Sequence, residues 1–325
     1  MPDLKIFSDL SHPELAKEIC AELQMPLGSA NIQVFSNGNP IVEIQECVRG
    51  SDVFVVGTQA PIASENFISF CILINALRYA SARRITAVIP YLFESRSDKK
   101  DRPRIAIVSR LVAQMLETAG INRAIFIDLH APQIQGFFRL PTDTINGAGL
   151  ICKFLKQRDL SNYVIVAPDA GEAKKLHPFQ ELMPQLPLAM LDKRRYAHDE
   201  KPTVHKLIGE VGGKVALIID DEISSGGTIK EAADFFQRLP ANERPSEVRV
   251  ATTHPILSGN AMVTLNQSGI KELIAINTVP VPETKKQAAQ FEFHLLSPAG
   301  IIARTIQIIH TDKSVGEFLD KEYIS

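Results

Sequence analysis

The sequence has no tryptophan, only four cysteines and no long apolar run in 325 residues. The cysteines (Cys20, Cys47, Cys71 and Cys152) are widely spread, with no CxxC pair and no Cys/His zinc spacing. Reduced, buried thiols in a cytoplasmic protein are therefore expected. An excess of charge of either sign is also missing. Thirty-five Lys and Arg stand against 37 Asp and Glu, for a net charge of −2. That balance excludes a general attraction to nucleic acid or to an anionic membrane, and neither partner is expected. No apolar stretch approaches the length of a membrane-spanning helix. The N-terminal MPDLKIFSDL lacks a basic region followed by an apolar one, so a secretory signal is not expected.

What is present is the composition of a globular chain: 45% hydrophobic and 22% charged residues, enough to build full-sized cores. The length suggests two domains. Short aliphatic runs alternate with helical patterns. DVFVVG (52–57), RITAVIP (84–90) and RAIFIDLH (123–130) read as buried strands. FISFCILINALRYASA (67–82) and RIAIVSRLVAQMLETAG (104–120) read as helices, the second stopped by Gly120. Apolar runs of this kind, bounded by turns and separated by helices, predict parallel sheets covered on both faces. The order restarts near residue 145, with strands at NYVIVAPDAG, LPLAMLD, KVALIIDDE, EVRVATTH and LIAINTV. The expected fold class is α/β, with two similar halves, 1–145 and 146–325. The late FEFHLLS strand and its helix either close the second half or reach back to the first.

One segment carries chemistry on its own. In VALIIDDEISSGGTI (215–229) an aliphatic strand brings Asp220 and Asp221 to the carboxyl edge of a parallel sheet, where ligands bind. Gly226 and Gly227 permit positive φ and close approach. The backbone N–H groups that open the next helix, with the hydroxyls of Ser224, Ser225 and Thr228, can hold a phosphate. Two carboxylates would repel that phosphate, so they suit sugar hydroxyls or a magnesium ion. A lone SGGT could equally be an ordinary strand–turn–helix connection. The whole string resembles the phosphoribosyl-pyrophosphate motif of the type I phosphoribosyltransferase fold.

Four further strings narrow the resemblance. SRSDKKDRPR (95–104) resembles ARQDKKD. IDLHAPQIQGFFRLPTD (127–143) resembles DLHA-QIQGFF. VAPDAGEAKKL (166–176) resembles PDAGGAKR. FSNGNPIVEIQECVRGSDVFVV matches an FSNQE…VEI…VRG…D pattern. Together they resemble the ribose-phosphate pyrophosphokinase family over nearly the whole chain. The resemblance implies two type I phosphoribosyltransferase-like domains, with ATP on the side of the first and ribose 5-phosphate on the side of the second. It also implies a Mg2+ cofactor and self-association to a dimer or hexamer. Implied contacts to ATP are Phe35, Asn37, Asn39, Arg96, Ser97 and His130. Contacts to ribose 5-phosphate are Asp220, Asp221, Ser224, Ser225, Gly226, Gly227 and Thr228. His130 and Asp169 are the implied metal residues. Without the surrounding strings, a structural histidine and a helix-capping aspartate would be the better readings. Lys193 and Arg195, in the charge-dense loop LDKRRYAHDEK, match a catalytic pair that stabilises the transferring group.

Some letters depart from the family. Asn39 replaces a glutamate and Ser97 a glutamine, both at the ATP side. Arg49, Ser81, Gln135, Asp143 and Ser314 match positions of a regulatory oxyanion site, but Cys47 and Gly316 replace serines there. Lost hydroxyls remove donors, so weak phosphate activation and weak ADP inhibition are expected. A catalytically silent regulatory member of the family is the alternative to an enzyme. A nucleobase phosphoribosyltransferase leaves the N-terminal half unexplained.

Overall fold

A computed structural model describes residues 2–60, 62–194 and 203–322. Arg195 lies outside these, and the side chain of Lys193 is likewise not described. The described chain forms two compact units.

Unit 1 begins with β1 (Leu4–Ser8), α1 (Pro13–Glu22), the hairpin β2 (Ala30–Val34) and β3 (Pro40–Ile44), then β4 (Asp52–Val56). Next come α2 (Ala63–Tyr79), β5 (Arg84–Ile89), α3 (Val108–Ala119), β6 (Arg123–Ile127), a 3-10 helix (Pro132–Phe137) and β7 (Thr142–Ile145). Its five-stranded sheet runs β1-β4-β5-β6-β7 with every pair parallel. All five residues of β4 are buried, which is why its sequence shows a continuous apolar run and not an alternating one. Helix α3 starts later than its sequence pattern, because Arg104 takes a left-handed φ of 66° and the chain turns before Val108.

Unit 2 contains α4 (Ala148–Leu155), β8 (Tyr163–Ala167), a 3-10 helix (Glu172–Leu176), α5 (His177–Leu182), β9 (Leu188–Arg194) and β10 (Thr203–Ile208). These are followed by β11 (Val215–Glu222), α6 (Gly227–Arg238), β12 (Glu247–His254), α7 (Ala261–Asn266), β13 (Glu272–Ile276), α8 (Glu283–Gln287) and β14 (Glu292–Leu296). Its sheet runs β10-β9-β8-β11-β12-β13-β14 and is parallel except at the β9–β10 edge. The LDKRR segment, read from sequence as the start of a loop, stays in strand through Arg194. β10 supplies its ladder, pairing Val204 with Lys193 and Thr203 with Arg194.

The chain then returns to unit 1 with α9 (Ala299–His310) and α10 (Val315–Glu322). Helix α9 packs on α1 and buries Ile302, Ile306 and Ile309. Residues 278–280 also belong to unit 1, where the Thr58 hydroxyl donates to the Thr278 carbonyl at 2.8 Å. Among the described residues no helix is long and apolar enough to cross a membrane.

Candidate active site

In unit 2 the chemistry gathers at the carboxyl ends of β8 and β11, which are paired in the sheet. Asp220 and Asp221 lie near the end of β11, just before Glu222, and are buried, at 7% and 9% exposure. Burial, then the charges of Asp221 and Glu172, push the Asp220 carboxyl well above the usual carboxylate range. Asp169, at the end of β8, accepts the N–H groups of Gly171 (2.8 Å) and Glu172 (3.0 Å) through Oδ1. It therefore caps the 3-10 helix, and the second carboxylate oxygen takes no part in those bonds.

The SSGGT segment links β11 to α6. Gly226 sits at the helix N-cap with φ 77°, and a Cβ there would meet the Leu265 side chain at 3.2 Å and the Ala261 carbonyl at 3.4 Å. The positive φ favours glycine, and the space for a side chain is tight. Among the described residues no side chain caps α6, so its first-turn N–H groups are open to an anion. The Ser224 hydroxyl lies 2.9 Å from that of Ser258, and Ser258 N–H donates to the Ser224 carbonyl at 2.8 Å, which fixes the outer side of the loop. Ser225 and Gly227 are exposed and Thr228 is half-buried. The structure thus brings together Asp169, Asp220, Asp221 and residues 224–228.

Two residues that sequence reading did not single out join this cluster. The Lys175 ammonium donates to Asp221 Oδ2 at 2.7 Å and to Glu172 Oε1 at 2.8 Å. Burial works to lower the lysine pKa, yet Asp221 and Glu172 together raise it. Glu172 is shifted upward, by burial first and then by Asp221. The signals in the sequence were the run of unlike charges in GEAKK, ordinary for a solvated turn, and the departure of Glu172 and Lys175 from the PDAGGAKR string.

In unit 1 the expected donor-side residues fall in two places. Arg96 and Ser97 lie on the loop after β5, and His130 follows β6, whose paired neighbour is β5. Gln133 donates to the buried Asp98 and ties these two loops together. Left-handed φ values at Glu94 (58°), Arg104 (66°) and Asp128 (38°) turn the chain sharply around them. The Ser97 hydroxyl donates to Glu94 at 2.8 Å. Phe35, Asn37 and Asn39 lie instead at the exposed tip of the separate β2–β3 hairpin. There Phe35 N–H donates to the Asn39 carbonyl and Asn39 N–H to Asn37 Oδ1.

Residues 4–120 match the model of the N-terminal domain of ribose phosphate pyrophosphokinase, and residues 186–320 that of the phosphoribosyl synthetase-associated domain. The chain is 39% identical over 313 residues to a ribose-phosphate pyrophosphokinase of Corynebacterium ammoniagenes, covering 96% of each protein. It is 39% identical over 320 residues to that of Bacillus caldolyticus, covering 98% of each. The crystal structure of phosphoribosylpyrophosphate synthetase from Mycobacterium smegmatis superposes with a TM-score of 0.88 at 33% identity, over 95% of this chain and 99% of that one.

Proposed function

The chain belongs to the ribose-phosphate pyrophosphokinase family, and from that premise we propose the reaction it performs. The anomeric hydroxyl of ribose 5-phosphate attacks the β-phosphorus of Mg-ATP. The bond between the α,β-bridging oxygen and that phosphorus breaks, and the diphosphate passes intact to the sugar. The hydroxyl proton is released, and AMP leaves with 5-phosphoribosyl 1-diphosphate as the other product.

The observation that carries this reading is the uncapped start of α6 beside two buried aspartates. The sugar phosphate has an anion site in residues 224–228, and Asp220 and Asp221 accept from the ribose hydroxyls one step away. The Asp169 carboxylate and the His130 imidazole are the groups proposed to take Mg2+. When bound, the ion would neutralise phosphate charge. Asp169 would hold it on the acceptor side, and His130 would face the donor phosphates. Arg96 and Ser97, with Phe35, Asn37 and Asn39, are the proposed ATP contacts. Lys193 and Arg195 are proposed to stabilise the charge on the transferring group. A homo-oligomer, dimer or hexamer, fits the three large apolar side chains exposed on the hairpin, Val34, Phe35 and Ile41. A cytoplasmic location fits the free cysteines, with burial pushing Cys71 up to about 12.

Release of AMP from Mg-ATP, dependent on ribose 5-phosphate, tests the reading with purified protein. A folded protein that releases none would be the silent family member instead.

A further inference from the structure

Lys175 and Glu172 lie beside the proposed ribose-binding carboxylates, yet neither belongs to the phosphate loop or the strand that carries them. The Lys175 ammonium bridges Asp221 Oδ2 and Glu172 Oε1 at 2.7 and 2.8 Å. Its side chain is 29% exposed, whereas those of Asp221 and Glu172 are 7% and 12% exposed, so this pair is well shielded from water. The string PDAGGAKR has glycine where Glu172 stands and arginine where Lys175 stands. The two departures are linked in space: the added carboxylate is a second anchor for the substituted cation.

We propose that Lys175, anchored by Glu172, is a positioning residue for the acceptor, holding Asp221 in the orientation that the ribose hydroxyls need. This rests on the reading that Asp220 and Asp221 bind the sugar. The reason is electrostatic. Asp220, Asp221 and Glu172 are three acidic side chains in one largely buried site. Coulomb repulsion among them is weakly screened there. Without the ammonium, relief comes by turning the Asp221 side chain away, which takes acceptor lone pairs from the sugar. An ammonium on a flexible stem can sit between two carboxylates as a point charge. A guanidinium can satisfy the same pair with its planar fork, so arginine is the conservative substitute here.

Calorimetric titration of the full chain with ribose 5-phosphate, and separately with Mg-ATP, tests the assignment in wild type, Lys175→Met and Lys175→Arg. Lys175→Met is expected to weaken ribose 5-phosphate binding about tenfold and to leave Mg-ATP binding within about twofold. Lys175→Arg should recover most of the loss. A merely structural lysine would weaken both ligands alike. Unchanged sugar affinity, or equal loss for both ligands, overturns the proposal. Should the methionine variant not fold, Glu172→Gln keeps the side-chain shape and is expected to weaken the sugar alone, by about threefold; no change there overturns it equally. A wild type that binds ribose 5-phosphate but releases no AMP would remove the proposed reaction and leave this comparison to decide on its own.

Discussion

His310 Nδ1 lies 2.8 Å from Asp52 Oδ2, joining the last residue of α9 to the first residue of β4 across 258 positions of sequence. The Asp52 side chain is 1% exposed and also takes Arg84, whose Nε lies 2.8 Å from Oδ1. Arg84 in turn donates to the Ile309 carbonyl at 3.0 Å. The C-terminal helix is thus fastened to the first sheet by a buried carboxylate that contacts both Arg84 and His310. Asp52→Ala takes that carboxylate from Arg84, which is 30% exposed and keeps its contact with Asp312, and should cost about 1–3 kcal/mol, read as a lowered urea midpoint. His310→Gln should cost less, about 1 kcal/mol, since Arg84 still serves the carboxylate.

Asp9 is a second buried acid, and its surroundings make stability depend on pH. Its Oδ1 accepts from Ser11 N–H at 2.9 Å and from the Ser11 hydroxyl, while Oδ2 is buried with no hydrogen-bond partner. Burial outweighs the Ser11 bonds and raises its pKa from 3.8 to about 7. The folded protein therefore keeps a proton that the unfolded chain loses near pH 4. Stability from this group is intact below the unfolded pKa, falls as pH rises through the window and levels off above about 7. Asp9→Asn does not titrate. Its stability relative to wild type should rise by about 2–3 kcal/mol between pH 5 and pH 8. Parallel stability curves across that range would refute the assignment.

The two loop glycines should separate cleanly. Gly226 has φ 77° and a crowded Cβ position, whereas a Cβ on Gly227 would meet only Ser225 Oγ at 3.5 Å. Gly226→Ala is expected to cost about 1–2 kcal/mol of stability and to raise KM for ribose 5-phosphate. Gly227→Ala should melt as wild type does. Thermal unfolding of the two variants side by side checks this.

Lys193→Ala should lower kcat by about a hundredfold or more, with much smaller changes in either KM, if the residue acts on the transferring group. Full turnover by this variant would remove Lys193 from the mechanism and leave the family membership standing.

The regulatory expectation is open to a direct test. A cavity of ≈ 280 Å³ in unit 1 is lined by Arg84, Arg123, Asp143, Asp312, Lys313 and Gly316, among others. Asp143 is ion-paired with Arg123, and the Ser314 hydroxyl accepts the Glu317 N–H at the start of α10. Gly316 offers no hydroxyl there. Activity should change little with inorganic phosphate, and ADP should compete simply with ATP. Steep phosphate activation with cooperative ADP inhibition would overturn this.

Elements whose cause is local could be read from the amino-acid pattern. Continuous aliphatic runs made β4, β5, β8 and β11 legible, because both faces of those strands are covered. The SSGGT loop was legible because a left-handed turn opening a helix favours glycine, as at Gly226. Weakly patterned β10 was not legible, since it is a strand only through its pairing with β9. That pairing carries the LDKRR segment in strand through Arg194, where its charges alone suggested a loop. Tertiary structure alone decided the bridge from Lys175 to Asp221, 46 residues apart. No local pattern marks it. It exists because β8 and β11 are parallel neighbours, so the turns that follow them meet at one edge of the sheet. The same holds for Asp52 and His310, whose contact depends on α9 returning to the unit where the chain began.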